Sequence, residues 1–266
     1  MKTRNIIAAA LLLFTASAAS AQGVKVYTHD GQVIDYPYAN LDSIVAYGSG
    51  ISAPAGAQAV DLGLPSGTKW ANMNVGATTA EGYGDYYQWG ETTPCNDVSE
   101  DCGWNSSYTP GGTSFGGSGS SDCGTDKDPM FVDGVLTVDS AGNCICDFAG
   151  NAKYDAATAN WGSAWLTPTK EQQDELRNNC DWTWTTLNGI NGYEVKSKTN
   201  GNSIFLPASG NRNGKTLNFQ GTTGFYWSST VYPKWGNANY LDFYSFTKMW
   251  SWNYRYFGQS VRPVAK

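Results

Sequence analysis

The sequence predicts a loop-rich α+β protein with few helices, preceded by a small β appendage. Three observations carry this. Charged residues are only 15% of the 266-residue chain, which instead holds 31 Gly and 37 aromatic residues; that composition suits turns and ring-stiffened sheet. Apolar residues alternate at period two in segments such as Tyr240-Leu-Asp-Phe-Tyr-Ser, the spacing of a strand. Helical spacing with a clear start signal stands out in one segment, WLTPTKEQQDELRNNC (165–180).

From the N-terminus, Lys2 and Arg4 precede the apolar run Ile6 to Phe14, and small residues end at Ala19-Ser20-Ala21. A basic start, a short apolar stretch and an A-x-A site mark residues 1–21 as a signal peptide rather than a buried helix. The run is too short to span a bilayer, and no later run approaches the roughly 20 apolar residues a membrane helix needs. Residues 22–48 read as three short strands, with His29-Asp-Gly-Gln as the turn between alternating runs. SGISAPAGAQ (49–58) has linker composition. The main domain then runs over 59–266, with 95–150 as a Cys/Gly/Ser-rich insertion.

Five of the six cysteines (Cys95, Cys102, Cys123, Cys144, Cys146) lie in that insertion; the sixth is Cys180. An exported chain with an even count permits three disulfides, with 15 connectivities left open. Staples there would replace a core that the segment has too little apolar periodicity to build. The rival, a zinc site, lacks a nearby His and a paired C-x-x-C.

In 165–180, Thr169 with Gln172 three residues later makes a capping box, and Leu176 and Cys180 face the core. DAATANW (155–161) is a second short helix capped by Asp155. SIFLPA is a strand. SGNRNGKT (209–216) after it is a turn rather than a phosphate loop: Gly210 and Gly214 enclose three residues instead of four, and strand-like sequence follows.

Charge and composition exclude several functions. The formal net charge is −6, and −8 once the first 21 residues are removed, the wrong sign for nucleic acid or an anionic membrane surface. The single histidine, His29, lies in a turn, which removes Ser-His-Asp triads and His-rich metal sites. Asp122–Asp128 and Asp139–Asn143 offer oxygens of the kind Ca²⁺ takes, but neither fits an EF-hand loop. Asp/Gly turns explain them more economically, so no cofactor is expected. A carboxylate pair for glycoside hydrolysis is set by distance and not by spacing, and nothing in the chain supports one.

A series of phrases occurs in order: VDLGLPSGTKWANMNVGA (60–77), YGDYYQWGET (83–92), DAATANWGSAWLTPTKEQ (155–172), NGYEVKSKTNGNSIFLPASG (191–210), YWSS (226–229) and GQSVRPV (258–264). Together they resemble secreted Bacteroides-type proteins carrying the Fibrobacter succinogenes major paralogous domain. That family has the C-type lectin fold and is related to formylglycine-generating enzymes. The resemblance implies a C-type-lectin-like domain in which a strand within 59–72 pairs with SVRPV. It extends to variable proteins diversified by retroelements, whose ligand surface lies between the YWSS-like and SVRPV-like strands. Residues 230–257 have that Asn/Tyr/Ser-rich texture. Two departures stand out: Leu166 replaces the family's usual Arg, and no cysteine follows Cys180, which argues against formylglycine-type oxidation.

Of the 37 aromatic residues, 13 fall between Tyr226 and Phe257. Rings of this kind fill a core or are displayed. Alternation places Leu241 and Phe243 on one face of their strand, and the Asp-bearing face opposite is the wetter one. Tyr226, Trp227 and Trp250 are assigned to the core with them. The expected display set is Tyr232, Lys234, Trp235, Asn237, Tyr240, Asp242, Tyr244, Trp252, Asn253, Tyr254 and Tyr256. Rigid rings interspersed with Asn and Ser make antibody-like contact surfaces. The expectation is thus an exported, non-catalytic protein, on the cell surface, outside the cell or in the periplasm, that binds a protein or glycan as an adhesin does. The rivals are an oxidase or glycan-active enzyme of the same fold, which needs a polar pocket with converging carboxylates or a free thiol, and a surface-assembly component, whose 22–48 strands pair with another chain.

Overall fold

A computed structural model describes residues 52–96, 129–233 and 237–266, together with the strands Gly23–Tyr27 and Val33–Pro37. The chain divides into two compact units, Met1–Ile51 and Ser52–Lys266. In the first unit β1 (Gly23–Tyr27) and β2 (Val33–Pro37) form an antiparallel hairpin, with Tyr27 opposite Val33. The signal peptide, His29, the third expected strand, Cys102, Cys123 and Asp122–Asp128 lie outside the described residues.

The second unit opens with β3 (Ala59–Asp61) and β4 (Lys69–Ala71), an antiparallel pair. The helix α1 (Pro129–Val132) and the two-residue strands β5 (Thr137–Val138) and β6 (Cys144–Ile145) follow. Then come α2 (Ala156–Trp161), β7 (Trp165–Leu166) and α3 (Lys170–Asn179). The remainder is strand. β8 (Cys180–Leu187), β9 (Ile190–Ser197) and β10 (Ser203–Pro207) make one antiparallel sheet with β9 central. β11 (Asn211–Asn213) and β12 (Thr216–Asn218) form a small hairpin, so the glycine-rich segment is a turn between strands. β13 (Thr223–Val231), β14 (Asn237–Tyr244) and β15 (Thr247–Tyr254) form an antiparallel sheet in that order, and β16 (Val264–Ala265) closes the chain. Among the described residues no helix is long and apolar enough to cross a membrane.

Both helix starts follow from local chemistry. Thr169 accepts from the Gln172 amide while the Gln172 side chain accepts from the Thr169 amide, so two donors of the first turn of α3 are satisfied reciprocally. Asp155 caps α2, and its fully buried carboxylate does more than cap. It accepts from the amides of Gly150, Ala157, Thr158 and Thr167, and from the hydroxyls of Thr158 and Thr167. One side chain therefore ties the loop before α2, the helix itself and the residue that follows β7 to a single point.

The two ends of the second unit meet. β16 pairs antiparallel with β4 on one side, Val264 opposite Trp70, and with β7 on the other, Val264 opposite Leu166. Just before it, Arg262 is 1% exposed. Its Nε donates to Asn74 Oδ1 at 2.7 Å and its terminal nitrogens donate to the Ala71 and Phe205 carbonyls. Asn74 in turn donates to the Tyr226 hydroxyl, which donates to the Pro207 carbonyl. Burial pulls the guanidinium down to about 10.

Apolar residues form two large clusters. One gathers Met73, Tyr87, Trp89, Phe148, Trp161, Trp227 and Tyr240; the other gathers Leu62, Trp70, Leu176, Ile204, Tyr226, Leu241 and Phe243. Met130, Leu136 and Phe148 belong to the first, so residues 129–150 of the expected insertion contribute to the core instead of standing apart from it. The three-disulfide expectation also needs correction. Cys95 and Cys144 are disulfide-bonded, but Cys180 is a buried thiol. It sits between α3 and β8, packed in the second cluster, and burial pushes its thiol up to about 11.

Candidate functional site: an aromatic sheet edge

The sheet β13–β14–β15 has β14 in its centre and β15 at its edge. Register places Tyr226, Leu241 and Trp250 side by side, and Trp227, Tyr240 and Ser251 side by side on the opposite face. The face of Leu241 and Phe243 turns inward as the alternation predicts, at 2% and 0% exposure. Gly224, opposite Phe243, makes room for it: a Cβ there would collide with the Phe243 ring.

The other face of β14 is not open along its whole length. Tyr240 is buried, edge-on to Trp227 at 5.9 Å between ring centroids and tilted against Phe225 at 5.7 Å. Asn237, on the same face as Leu241, is buried too, and its carbonyl accepts from the Tyr232 amide. Both were expected on display, and both belong to the interior. The reason is the central position of β14: with a strand on each side and packing on both faces, alternation separates two buried sides. The opposite correction applies to Trp250, assigned to the core but 38% exposed. It shares the inward face of Leu241, yet β15 is the sheet edge, so the ring overhangs the rim. Lys170 of α3 lies over it, with Nζ 4.3 Å from the ring centroid, a cation–π contact.

The remaining candidates split between two sides of β15. Trp250, Trp252 and Tyr254 are two residues apart on a strand and so project from one side; Trp252 and Tyr254 are 42% and 40% exposed. Tyr232, half-buried, tilts against Trp252 with centroids 5.4 Å apart. Tyr254 stacks on Tyr256 at 5.4 Å with 7° between planes, and Tyr256 stacks on Phe257 at 5.0 Å. Asp242, Tyr244 and Asn253 lie on the other side, all partly buried. Lys234 and Trp235 lie outside the described residues.

Behind the aromatic row, Arg255 is fully buried with its guanidinium 5.0 Å from the centre of the Trp89 ring. The Trp89 amide donates to the Arg255 carbonyl. The segment that carries Tyr254 and Tyr256 is therefore pinned to the core from beneath. Sequence reasoning did not find this anchor, since an Arg among rings reads as a surface residue; the Trp89-Gly-Glu stretch it contacts lies in a separate part of the chain.

A narrow cleft on the core side is lined by Trp89, Glu91, Phe148, Tyr154, Thr167 and Trp227. Burial in this cleft pushes the Glu91 carboxyl up to about 7. Among the described residues no group of three or more His, Cys, Asp and Glu side chains could hold a metal ion. Asp139, considered above for Ca²⁺, accepts from the amides of Ala141 and Asn143 and from the Asn143 side chain, the bonding of a turn. These contacts hold its carboxyl below the usual value, the Asn143 side chain foremost.

No family model, no curated protein and no solved structure matches the chain.

Proposed function

We propose that this is an exported, non-catalytic binding protein whose C-type-lectin-like domain uses the β15 edge to hold a protein or glycan in adhesion. The observation that carries the reading is the row Trp250, Trp252 and Tyr254, each 38–42% exposed on an edge strand. Soluble proteins seldom leave three large rings side by side in water without a use. The rings are held, not loose: Tyr232, Tyr256, Lys170 and the buried Arg255 support them from the sides and below. Rigid rings lose little conformational freedom on binding and so make efficient anchors. The pairing of β16 with β4 supports the lectin-like reading of the domain, and the position of the row between the Tyr226-Trp-Ser-Ser strand and the chain end is that of the variable surface in retroelement-diversified proteins.

A screen of the full chain against glycans and cell-surface proteins tests this, with Trp252→Ala and Tyr254→Ala as controls. A ligand whose affinity falls at least ten-fold in both variants supports the edge as the site. Binding that both variants retain moves the site elsewhere.

A further inference from the structure

The opposite face of the same sheet carries one carboxylate in an apolar frame. Asp242 lies in register between Phe225 on β13 and Met249 on β15. Tyr240 and Tyr244 flank it two residues away on β14. Phe225 is itself tilted against Phe219, which is 61% exposed at φ 59°. Asp242 is partly buried, and its Oδ1 is buried without a hydrogen-bond donor among the described residues. No described Lys or Arg pairs with it. Lys248 leaves β15 on the other face, its Nζ over the Trp182 ring, and Thr223, Phe225, Thr247, Met249 and Ser251 on the flanking strands do not titrate. The ionisable groups facing Asp242 are thus Tyr240 and Tyr244, and Tyr240 lies opposite Ser251 across the strand pair.

We infer that Asp242 and its frame of rings form a docking site for the side-chain cation of an arginine on a protein ligand. A carboxylate taken partly out of water without a partner is costly, and an incoming cation offsets that cost. Cross-strand neighbours lie about 4.5–5.5 Å away and same-face neighbours about 6.6 Å along the strand. A cation on the carboxylate therefore comes within the ~6 Å at which ring faces attract it. Arginine fits better than lysine, because a flat guanidinium can donate to the open carboxylate oxygen while stacking on the partly exposed Tyr244. The chain's net charge of −6 draws a basic partner in the same direction. The site rests on the reading that the C-terminal sheet binds a ligand, and it selects protein over glycan.

The test uses the full chain labelled at its methionine methyl groups. Met249 is 39% exposed while Met73 and Met130 are buried, so its methyl signal reports on this face. Titration with N-acetyl-arginine methylamide at pH 7.5 should move that signal saturably. The neutral citrulline analogue, the Asp242→Asn variant, and wild type at pH 4.5 should each bind at least ten-fold more weakly. Equal response to citrulline, undiminished binding at pH 4.5 or in Asp242→Asn, or no saturable shift at all would overturn the site. The citrulline and pH comparisons need no variant, so they stand even if Asp242→Asn fails to fold. Trp252→Ala should leave the arginine response unchanged, which separates failure of this site from failure of the aromatic edge.

Discussion

Arg262 and Asn74, 188 residues apart in the chain, are joined by a 2.7 Å hydrogen bond in a fully buried network. The bond locks the segment after β4 to the closing strand. Arg262→Met leaves Asn74 and the Ala71 and Phe205 carbonyls without their donor. Removing one member of a buried charged network costs about 3–5 kcal/mol. Urea denaturation should show that loss, and Arg262→Lys should recover only part of it, because an ammonium cannot reach three acceptors in the guanidinium's planar geometry.

Asp155→Ala should be comparably damaging. It orphans donors from Gly150, Ala157, Thr158 and Thr167 at once, and each buried unsatisfied group costs about 1–3 kcal/mol. Asp155→Asn keeps one acceptor oxygen and should fall between the two. A thermal melt in which Asp155→Ala matches wild type contradicts the assigned role.

Tyr240 and Trp252 make a paired prediction, since both were expected on display and only one is there. Tyr240→Ala removes a buried ring from between Trp227 and Phe225 and should cost about 3–5 kcal/mol. Trp252→Ala trims an exposed ring and should change stability by less than about 1 kcal/mol. Denaturation midpoints of the two variants decide the matter directly.

Burial pushes the carboxyls of Asp242 and Glu91 up, to about 6 and about 7. Between the ordinary carboxylate value and these raised ones the folded chain holds more protons than the unfolded chain, so stability falls as pH rises through that window. Asp242→Asn should therefore leave stability unchanged near pH 4 and raise it above pH 6. For a group that is only partly buried the gain is roughly 1 kcal/mol, well below the full shift because solvent screens it. A variant with the same melting temperature difference at pH 4 and pH 7.5 contradicts this.

Much of the local structure was legible in the chain. Thr169 with Gln172, Asp155 before a short helical run, and the alternation of Leu241 and Phe243 all depend on residues a few positions apart, and all stand in the structure as read. The hairpin in place of a phosphate loop at 209–216 was legible for the same reason: glycine spacing is local. The identity of the exposed rings was not. Alternation tells which residues share a face of a strand, but whether that face is covered depends on what lies beside the strand. Tertiary pairing put β14 in the centre and β15 at the edge, so Tyr240 and Asn237 became interior while Trp250 came to the rim. It likewise left Cys180, which helical spacing already put in the core, as a thiol, and it brought Arg262 to Asn74. By itself the sequence determined the elements and the band of the chain that carries the aromatic surface. The fold decided which rings in that band meet water, because burial is a property of neighbours distant in sequence.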